Sequence, residues 1–559
     1  MNMLKSLHRP IAAVTLVALA ACGNNAAGQG PLGPTPPPAP SSGGTYSTKI
    51  VGIGDSLTAG TQSGTTMGAL SSNPFSPLPG GVVPPTQENG WFALFFAQAN
   101  SIALDPAKYN LDTALGIPQV SPLPLIAAPG LGAQLLFSAS LPTGPGLFET
   151  HLDCDSFDNS AYTLGALSSV RLNPLTKTYD LGVPGITMHE ALAMTAPLTG
   201  APPGPNANGQ CPGYPTIAGD VTSGNLQTVV QSASQAFYPV LGSYTKNVTP
   251  LTELSVALSL KPSVATVWLG ANDLLEYIFS NETSPTTDPP AQFQQDLTTI
   301  VTSLEKAGAK VLLADLPNVL QTPQFFQGGV PANLAAPSQS VYYYLQVLSN
   351  GAVSAAEAQQ IVGAIAAPEP NGCGVDAGGY LTESGMEGLL TFLATPANLA
   401  LLGKECPLDI NSTGVYTQNS GIGTLYLNAK LATDAATLNA GYNQIIDGLA
   451  AKTGATLVPI TATFSAVYAA SNTAPYYYFL HGASDPVSLR FGGHLIGFDG
   501  LHPSDTGYAV IANTFIASAA AAGINVTPLS DATLDAIYAY DPYYIPNPLA
   551  PGFPLLRRR

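Results

Sequence analysis

The chain has 559 residues, of which 9% are charged and 45% are hydrophobic, and its formal net charge is −17 at pH 7. The hydrophobic content excludes a disordered polyampholyte. The acidic balance argues against nucleic acid as a partner, because phosphate binding requires clusters of basic side chains. With 56 glycines and 51 prolines, much of the chain is predicted to be loop.

The amino terminus has the pattern of an export signal. Lys5 and Arg9 precede an apolar run at 11–21, which is shorter than the roughly 20 residues that a membrane span needs. This run leads into the sequence LAAC, which resembles the lipobox of bacterial lipoproteins and ends at Cys22. We predict a signal peptide over 1–21 and a lipid anchor on Cys22 that holds the protein to a membrane of the cell envelope, the outer membrane of a Gram-negative bacterium. The alternative is an ordinary secreted protein with a chance cysteine.

The segment 22–46 is rich in Pro and Gly and is predicted to be a tether. Beyond it, apolar runs alternate with helical stretches, which is typical of a parallel α/β sheet. The predicted strands lie at 48–54, 178–183, 263–270, 310–316 and 455–461. The predicted helices lie at 90–99, 251–260, 291–307, 433–452 and 504–522. Together they predict one doubly wound α/β domain over 47–540.

Long segments rich in Gly and Pro separate these elements and are too long for plain connections. They lie at about 60–88, 104–176, 200–248 and 318–430. We interpret them as loop insertions that enlarge the domain at its ligand-binding edge. Apolar side chains within them, such as Phe325, Phe326 and Tyr342, either line an acyl pocket or form the cores of the insertions, and we favour the second interpretation. The segment 541–559, rich in Pro and Tyr, is treated as a tail.

Four cysteines remain besides Cys22, and an even number in an oxidising envelope predicts disulfides. Four cysteines allow three pairings. We favour Cys154 with Cys211 and Cys373 with Cys406, because each pair falls within one insertion. No C-x-x-C or His-x-His spacing accompanies them, so no metal site is predicted.

Two segments carry candidate catalytic residues. The first strand runs into Gly54-Asp55-Ser56-Leu57, at the edge of a parallel sheet where ligands bind. Near the other end, Asp499 precedes His502 by three residues, a spacing that lets the acid orient the imidazole while its second nitrogen takes a proton from a serine. Taken singly, Ser56 could instead be a helix cap and His502 an unrelated loop histidine.

These segments, together with 182–187 and 270–273, resemble the four blocks of the GDSL or SGNH hydrolase family in the family's chain order. By that resemblance Ser56 is the nucleophile, His502 the base and Asp499 its orienting acid. The resemblance also implies an oxyanion hole made of the Ser56 N–H, the Gly185 N–H and the Asn272 side-chain amide. It implies a three-layer α/β/α sandwich of flavodoxin-like type around a central, mostly parallel five-stranded sheet.

The resemblance implies an esterase or lipase that cleaves carboxylic esters through an acyl-serine intermediate and needs no cofactor. The substrate is then a small-molecule, lipid or glycan ester, and no nucleic acid is involved. One alternative is an acyltransferase or deacetylase that acts on envelope glycans with the same residues. Another is a surface lipoprotein that binds a ligand on this fold without turnover. Protein partners are not predicted.

Overall fold

The computed structural model of the chain describes most of its central and carboxyl-terminal parts. The described residues are 48–60, 89–101, 126–127, 170–171, 179–183, 185–194, 240–241, 251–284, 287–331, 339–348, 353–395, 398–410, 415–473, 477–481, 484–490, 493–497 and 500–541. The predicted features that lie outside them are the signal peptide and tether at 1–46 with Cys22, the cysteines Cys154 and Cys211, the acid Asp499, residues 542–559 of the tail, and most of the insertions at 60–88, 104–176 and 200–248.

The strands are, in chain order, β1 (Ile50–Gly54), β2 (Ile126–Ala127), β3 (Val170–Arg171), β4 (Val264–Trp268), β5 (Lys310–Ala314), β6 (Phe325–Gln327), β7 (Tyr380–Thr382), β8 (Tyr426–Leu427), β9 (Thr456–Val458), β10 (Tyr478–His481) and β11 (Ser484–Val487). The α-helices are α1 (Trp91–Ala99), α2 (Glu190–Ala193), α3 (Glu253–Ser259), α4 (Ala271–Phe279), α5 (Pro290–Lys306), α6 (Val341–Leu348), α7 (Ala355–Ala366), α8 (Glu383–Ala394), α9 (Ala429–Lys452), α10 (Ile460–Ser471), α11 (Asp505–Ala521) and α12 (Asp531–Tyr540). Within the described ranges, no helix combines the length and the hydropathy that a bilayer crossing requires.

Four parallel strands form the main sheet, in the order β1-β4-β5-β9. Every residue of β1 and β4 is buried, which explains why these strands are nearly continuous apolar runs rather than alternating ones. The prediction of an α/β fold with a parallel sheet is therefore confirmed, and four of the five predicted strands are present.

The predicted five-stranded sheet is wrong by one strand, because 178–183 makes only an isolated parallel bridge between Asp180 and Gly52. The Gly52 N–H donates to the Tyr179 carbonyl at 2.9 Å, and the Val183 N–H donates to the Gly54 carbonyl at 2.9 Å. Within the segment, Asp180 Oδ1 accepts the Gly182 N–H at 3.0 Å. Such a local bond between a side chain and the backbone competes with the hydrogen bonds of a regular strand. The segment thus lies along the outer edge of β1 without becoming a regular strand.

The five predicted helices correspond to α1, α3, α5, α9 and α11. The core that they share with the sheet has an aromatic centre. Trp91 at the start of α1 stacks on Phe515 of α11 with ring centroids 3.8 Å apart, and meets Trp268 of β4 edge-on at 5.9 Å. All three side chains are fully buried. Packing of α1 and α11 on this sheet fixes the positions of the loops that enter each helix.

The chain divides into two compact units, and Phe325–Ala432 belongs to the smaller one. This range covers most of the predicted insertion at 318–430. It contains the antiparallel sheet β6-β7-β8, the helices α6 to α8 and a separate core that includes Phe326 and Tyr342. The interpretation of these aromatic residues as the insertion's own core is confirmed, and so is the Cys373–Cys406 disulfide.

Candidate active site

Ser56 and His502 meet at the carboxyl end of β1. His502 Nε2 lies 2.8 Å from Ser56 Oγ, which is hydrogen-bonding distance between a nucleophile and its base. Both residues are buried, with 9% of Ser56 and 4% of His502 exposed. Two residues 446 positions apart in the chain are thus brought together, as the sequence patterns predicted.

The turn that carries Ser56 is capped by the preceding residue, Asp55. Asp55 Oδ1 accepts the Leu57 N–H at 2.9 Å, and the Asp55 carbonyl accepts the Thr58 and Ala59 N–H groups at 3.1 and 3.0 Å. Because Asp55 does the capping, the Ser56 hydroxyl is directed to His502. The alternative interpretation of Ser56 as a helix cap is therefore not what the structure shows.

His502 lies in the loop that leads into α11. The Gly497 N–H donates to the His502 carbonyl at 2.7 Å, and Ile496 forms an antiparallel bridge with Pro503. Ser504 then caps α11 by accepting the Gly507 N–H at 3.2 Å. These bonds hold the loop on both sides of the imidazole. The role of Asp499 stays a prediction, since this residue lies outside the described part of the chain.

Gly185 and Asn272 are linked to the same end of β1 by consecutive hydrogen bonds. The Val183 N–H bonds to the Gly54 carbonyl at 2.9 Å, and the Ile186 N–H bonds to the Val183 carbonyl at 3.2 Å. Asn272, in the first turn of α4, donates from Nδ2 to the Ile186 carbonyl at 2.9 Å. This bond uses one of the two amide hydrogens and orients the other.

Gly185 itself has a φ of +83°, a left-handed conformation that glycine adopts without a steric penalty. It lies between Val183 and Ile186, whose backbone groups make the bonds that connect this segment to β1 and to Asn272. The segment that contains Gly185 is thus adjacent to both of the elements that carry the other two predicted oxyanion donors.

Three carboxyl groups, those of Asp55, Asp180 and Glu253, are buried beside the end of β1. The sequence patterns did not predict that these three residues lie together. Glu253 of α3 accepts the Gly54 N–H at Oε1 over 2.7 Å and is completely buried. Burial raises the pKa of Asp55 to about 7 and raises the pKa values of Asp180 and Glu253 well above their ordinary range. Glu253 follows the capping residue Thr252, so that from sequence it is indistinguishable from an ordinary acid in a first helical turn.

A second acidic group holds the segment that follows Gly185. The Thr187 N–H donates to Glu190 Oε2, and the Met188 N–H donates to Asp273 Oδ2, both at 3.0 Å. Both acids are buried, and burial raises the pKa of Asp273 to about 7. The segment that follows Gly185 and the first turn of α4 are therefore joined through Asp273 as well as through Asn272.

Next to this group, His189, Asp288 and Asp296 each offer a ligand atom, and these atoms all lie within 4.8 Å of one another. His189 Nδ1 is 2.9 Å from Asp296 Oδ2. This arrangement is able to hold a cation. A search for closely spaced ligands in the sequence does not find it, because His189 lies 107 residues before Asp296.

No protein-family model, no curated protein and no solved structure matches this chain.

Proposed function

We propose that the chain is a serine ester hydrolase of the SGNH type, built on a three-layer α/β/α fold. The observation that carries this proposal is the 2.8 Å contact between Ser56 Oγ and His502 Nε2 at the end of β1. With 179–183 counted beside β1, the spatial order of the parallel segments is 2-1-3-4-5, an order common among doubly wound sheets that bind ligands at this edge.

In the proposed first step, His502 Nε2 takes the proton from Ser56 Oγ as the oxygen attacks the carbonyl carbon of the ester. The carbonyl oxygen becomes an oxyanion, which accepts hydrogen bonds from the backbone N–H groups of Ser56 and Gly185 and from Asn272 Nδ2. The tetrahedral intermediate then collapses, and His502 gives its proton to the departing alcohol. The product of this step is the acyl-serine.

In the second step, water loses a proton to His502 Nε2 and attacks the acyl carbon through an equivalent oxyanion. The acid is released, and the proton returns to Ser56 Oγ. Asp499 would hold the other ring nitrogen of His502 and stabilise the imidazolium that forms in each step. Loss of one oxyanion donor typically lowers turnover by about 10² to 10³-fold, so Gly185 and Asn272 have measurable roles in this scheme.

We infer that the substrate is a carboxylic ester of a small alcohol, a lipid or a glycan, and that the enzyme works from a lipid anchor on Cys22 in the cell envelope. No cofactor enters the proposed chemistry, because the nucleophile, base and oxyanion donors all come from the protein.

The test is hydrolysis of p-nitrophenyl esters from acetyl to palmitoyl by residues 23–559, compared with the Ser56→Ala variant. We expect turnover in the wild type and none above background in the variant, because the variant has no nucleophilic oxygen. A fluorophosphonate probe should label the wild type and not Ser56→Ala. The exposed Ser263 provides a matched control, and Ser263→Ala should keep both turnover and labelling. The proposal is falsified if Ser56→Ala hydrolyses the esters at the wild-type rate.

A further inference from the structure

A buried group of carboxylates lies behind the segment that contains Gly185. Its members come from α2, α4, α5 and the residues just before α5. They are the buried Glu190, Asp273, Asp288 and Asp296 and the half-buried Glu276, and His189 lies among them. Burial of several carboxylates together is costly unless a cation or protons neutralise them.

Asp288 shows most clearly that a positive partner belongs in this cluster. It is 6% exposed, and its Oδ2 atom is buried without a hydrogen bond. The charged groups that act on it are the carboxylates of Asp273 and Asp296 and the imidazole of His189. Buried polar atoms are rarely left without a partner, and a buried carboxylate oxygen among like charges is a position that favours a cation.

We propose that His189, Asp288 and Asp296 bind a divalent transition-metal cation such as Zn²⁺ or Mn²⁺. One imidazole nitrogen and two carboxylate oxygens make a ligand set that suits these ions better than Ca²⁺ or Mg²⁺, which take oxygen ligands. The three ligand atoms lie within 4.8 Å of one another, so that small side-chain movements bring them to metal-binding distances of about 2.0–2.2 Å.

The surroundings of the three residues also fit a metal site. Gln292 donates from Nε2 to both carboxylate oxygens of Asp296 at 2.9 Å, which fixes the orientation of that ligand. The His189 side chain is 36% exposed, whereas the Asp296 side chain is 7% exposed. The imidazole thus gives an ion access from solvent to ligands that are otherwise buried.

Two other groups of candidate ligands in the described ranges are weaker. The first, Glu369 with Cys406 and Asp409, has its sulfur in the disulfide with Cys373. The second, His481 with Asp485 and Asp535, is more exposed. Asp485 Oδ2 in the second group is also buried without a hydrogen bond, but it lies 3.2 Å from His481 Nε2, and none of the three residues of that group is buried as a whole. The His189 group has two buried aspartates, and one of their oxygens has no hydrogen bond.

A cation at this position would affect the candidate active site through His189. This residue follows Gly185 by four positions, and the Met188 N–H before it bonds to Asp273. Metal binding would therefore strengthen the link between the segment that contains Gly185 and α5, which the His189–Asp296 contact already joins. This consequence for turnover rests on the proposed function, whereas metal binding itself does not.

The test is metal binding by the full soluble chain after removal of bound ions with a chelator. We expect isothermal titration with Zn²⁺ or Mn²⁺ to show one site in the wild type, and thermal unfolding to shift upwards by several degrees when the ion is added. Asp288→Asn should lose both effects. Cooperative unfolding of Asp288→Asn in chelator alone would show that the variant folds, so that its loss of binding is assigned to the missing ligand.

His481→Gln serves as the control and should bind the ion as the wild type does, since it alters only the exposed group. The proposal is overturned if neither ion binds to the wild type, or if Asp288→Asn keeps the wild-type stoichiometry. It is also overturned if His481→Gln removes the binding, which would assign the ion to the exposed group. Binding that persists in a chain without esterase turnover would contradict the proposed function and leave the metal site standing.

Discussion

Asp55 has its carboxyl group buried in the turn that follows β1, next to the proposed nucleophile. Burial raises its pKa to about 7, while its bond from the Leu57 N–H and the nearby His502 act in the opposite direction. An aspartate in an unfolded chain titrates near 3.9. Between these two values the native state binds more protons than the unfolded state, so the contribution of Asp55 to stability falls as the pH rises from about 4 to about 7.

We therefore expect Asp55→Asn, which keeps an oxygen to accept the Leu57 N–H, to stabilise the protein more at pH 8 than at pH 5. The difference between the two pH values should be at most about 3 kcal/mol in the free energy of unfolding, as an upper estimate from the shift. Urea unfolding of wild type and variant at both pH values measures it. Asp447→Asn, the same substitution at an exposed site on α9, is the control. An equal effect of Asp55→Asn at both pH values would show that the buried carboxyl group does not titrate in this range.

The contact between β1 and 179–183 determines the position of the turn that carries Ser56. At Gly182, an added Cβ would lie 2.5 Å from the Ala59 nitrogen and 2.8 Å from the Asp55 carbonyl oxygen, both backbone atoms of that turn. The turn therefore packs directly on the Gly182 backbone. A side chain there must displace either the turn or the segment that leads to Gly185.

Gly182→Ala is expected to lower kcat for ester hydrolysis by about 10 to 10²-fold, although it removes no catalytic atom, because small displacements of reacting groups are costly. Kinetics on a p-nitrophenyl ester, together with the melting temperature, would separate this effect from loss of the fold. Gly441→Ala on α9 is a matched control, since nothing lies within 4 Å of its added Cβ. Unchanged turnover in Gly182→Ala would mean that the turn tolerates a side chain at this position.

Element positions were predictable where apolar runs are continuous. The runs that became β1, β4, β5 and β9 are short and rich in Val, Ile, Leu and Ala, which is typical of strands buried on both faces. The run at 178–183 contains only Leu181 and Val183 of these residue types, and its Asp180 side chain bonds locally to Gly182. The hydrophobic periodicity of a sequence does not reveal this local hydrogen bond, because the bond depends on the conformation of the Asp180 side chain.

On the scale of the whole molecule, the chain forms two compact units, and the Cys373–Cys406 disulfide lies within Phe325–Ala432. Its cysteines are 33 residues apart, and both are buried. Cross-linking a loop of this length stabilises a fold by about 3–4 kcal/mol in the chain-entropy model.

Replacing both cysteines, as Cys373→Ala with Cys406→Ala, should therefore increase hydrogen exchange across α7 and α8 by about two orders of magnitude. Mass-spectrometric exchange on peptides from these helices measures the effect. Peptides from β1 and β4, which belong to the other unit, serve as the internal reference. Wild-type protection of α7 and α8 in the double variant would show that the unit's core suffices without the cross-link.

The helices of this smaller unit were missed from sequence, although one signal was present. Ser354 and Glu357 form a capping box at the start of α7, in which each side chain bonds to the backbone N–H of the other residue. The high Gly and Pro content of 318–430 favoured a loop interpretation instead. Composition describes a segment as a whole, whereas a cap depends on two particular residues.

By itself, the sequence determined the α/β class, four of the strands, the five main helices and the candidates Ser56, Gly185, Asn272 and His502. These depend on local composition and on short motifs, which a linear pattern contains. Only the tertiary structure decided that Ser56 Oγ meets His502 Nε2 and that Glu253 holds the end of β1. The position of the carboxylates around His189 was also decided by the tertiary structure, because residues from separate elements come together only when the chain packs.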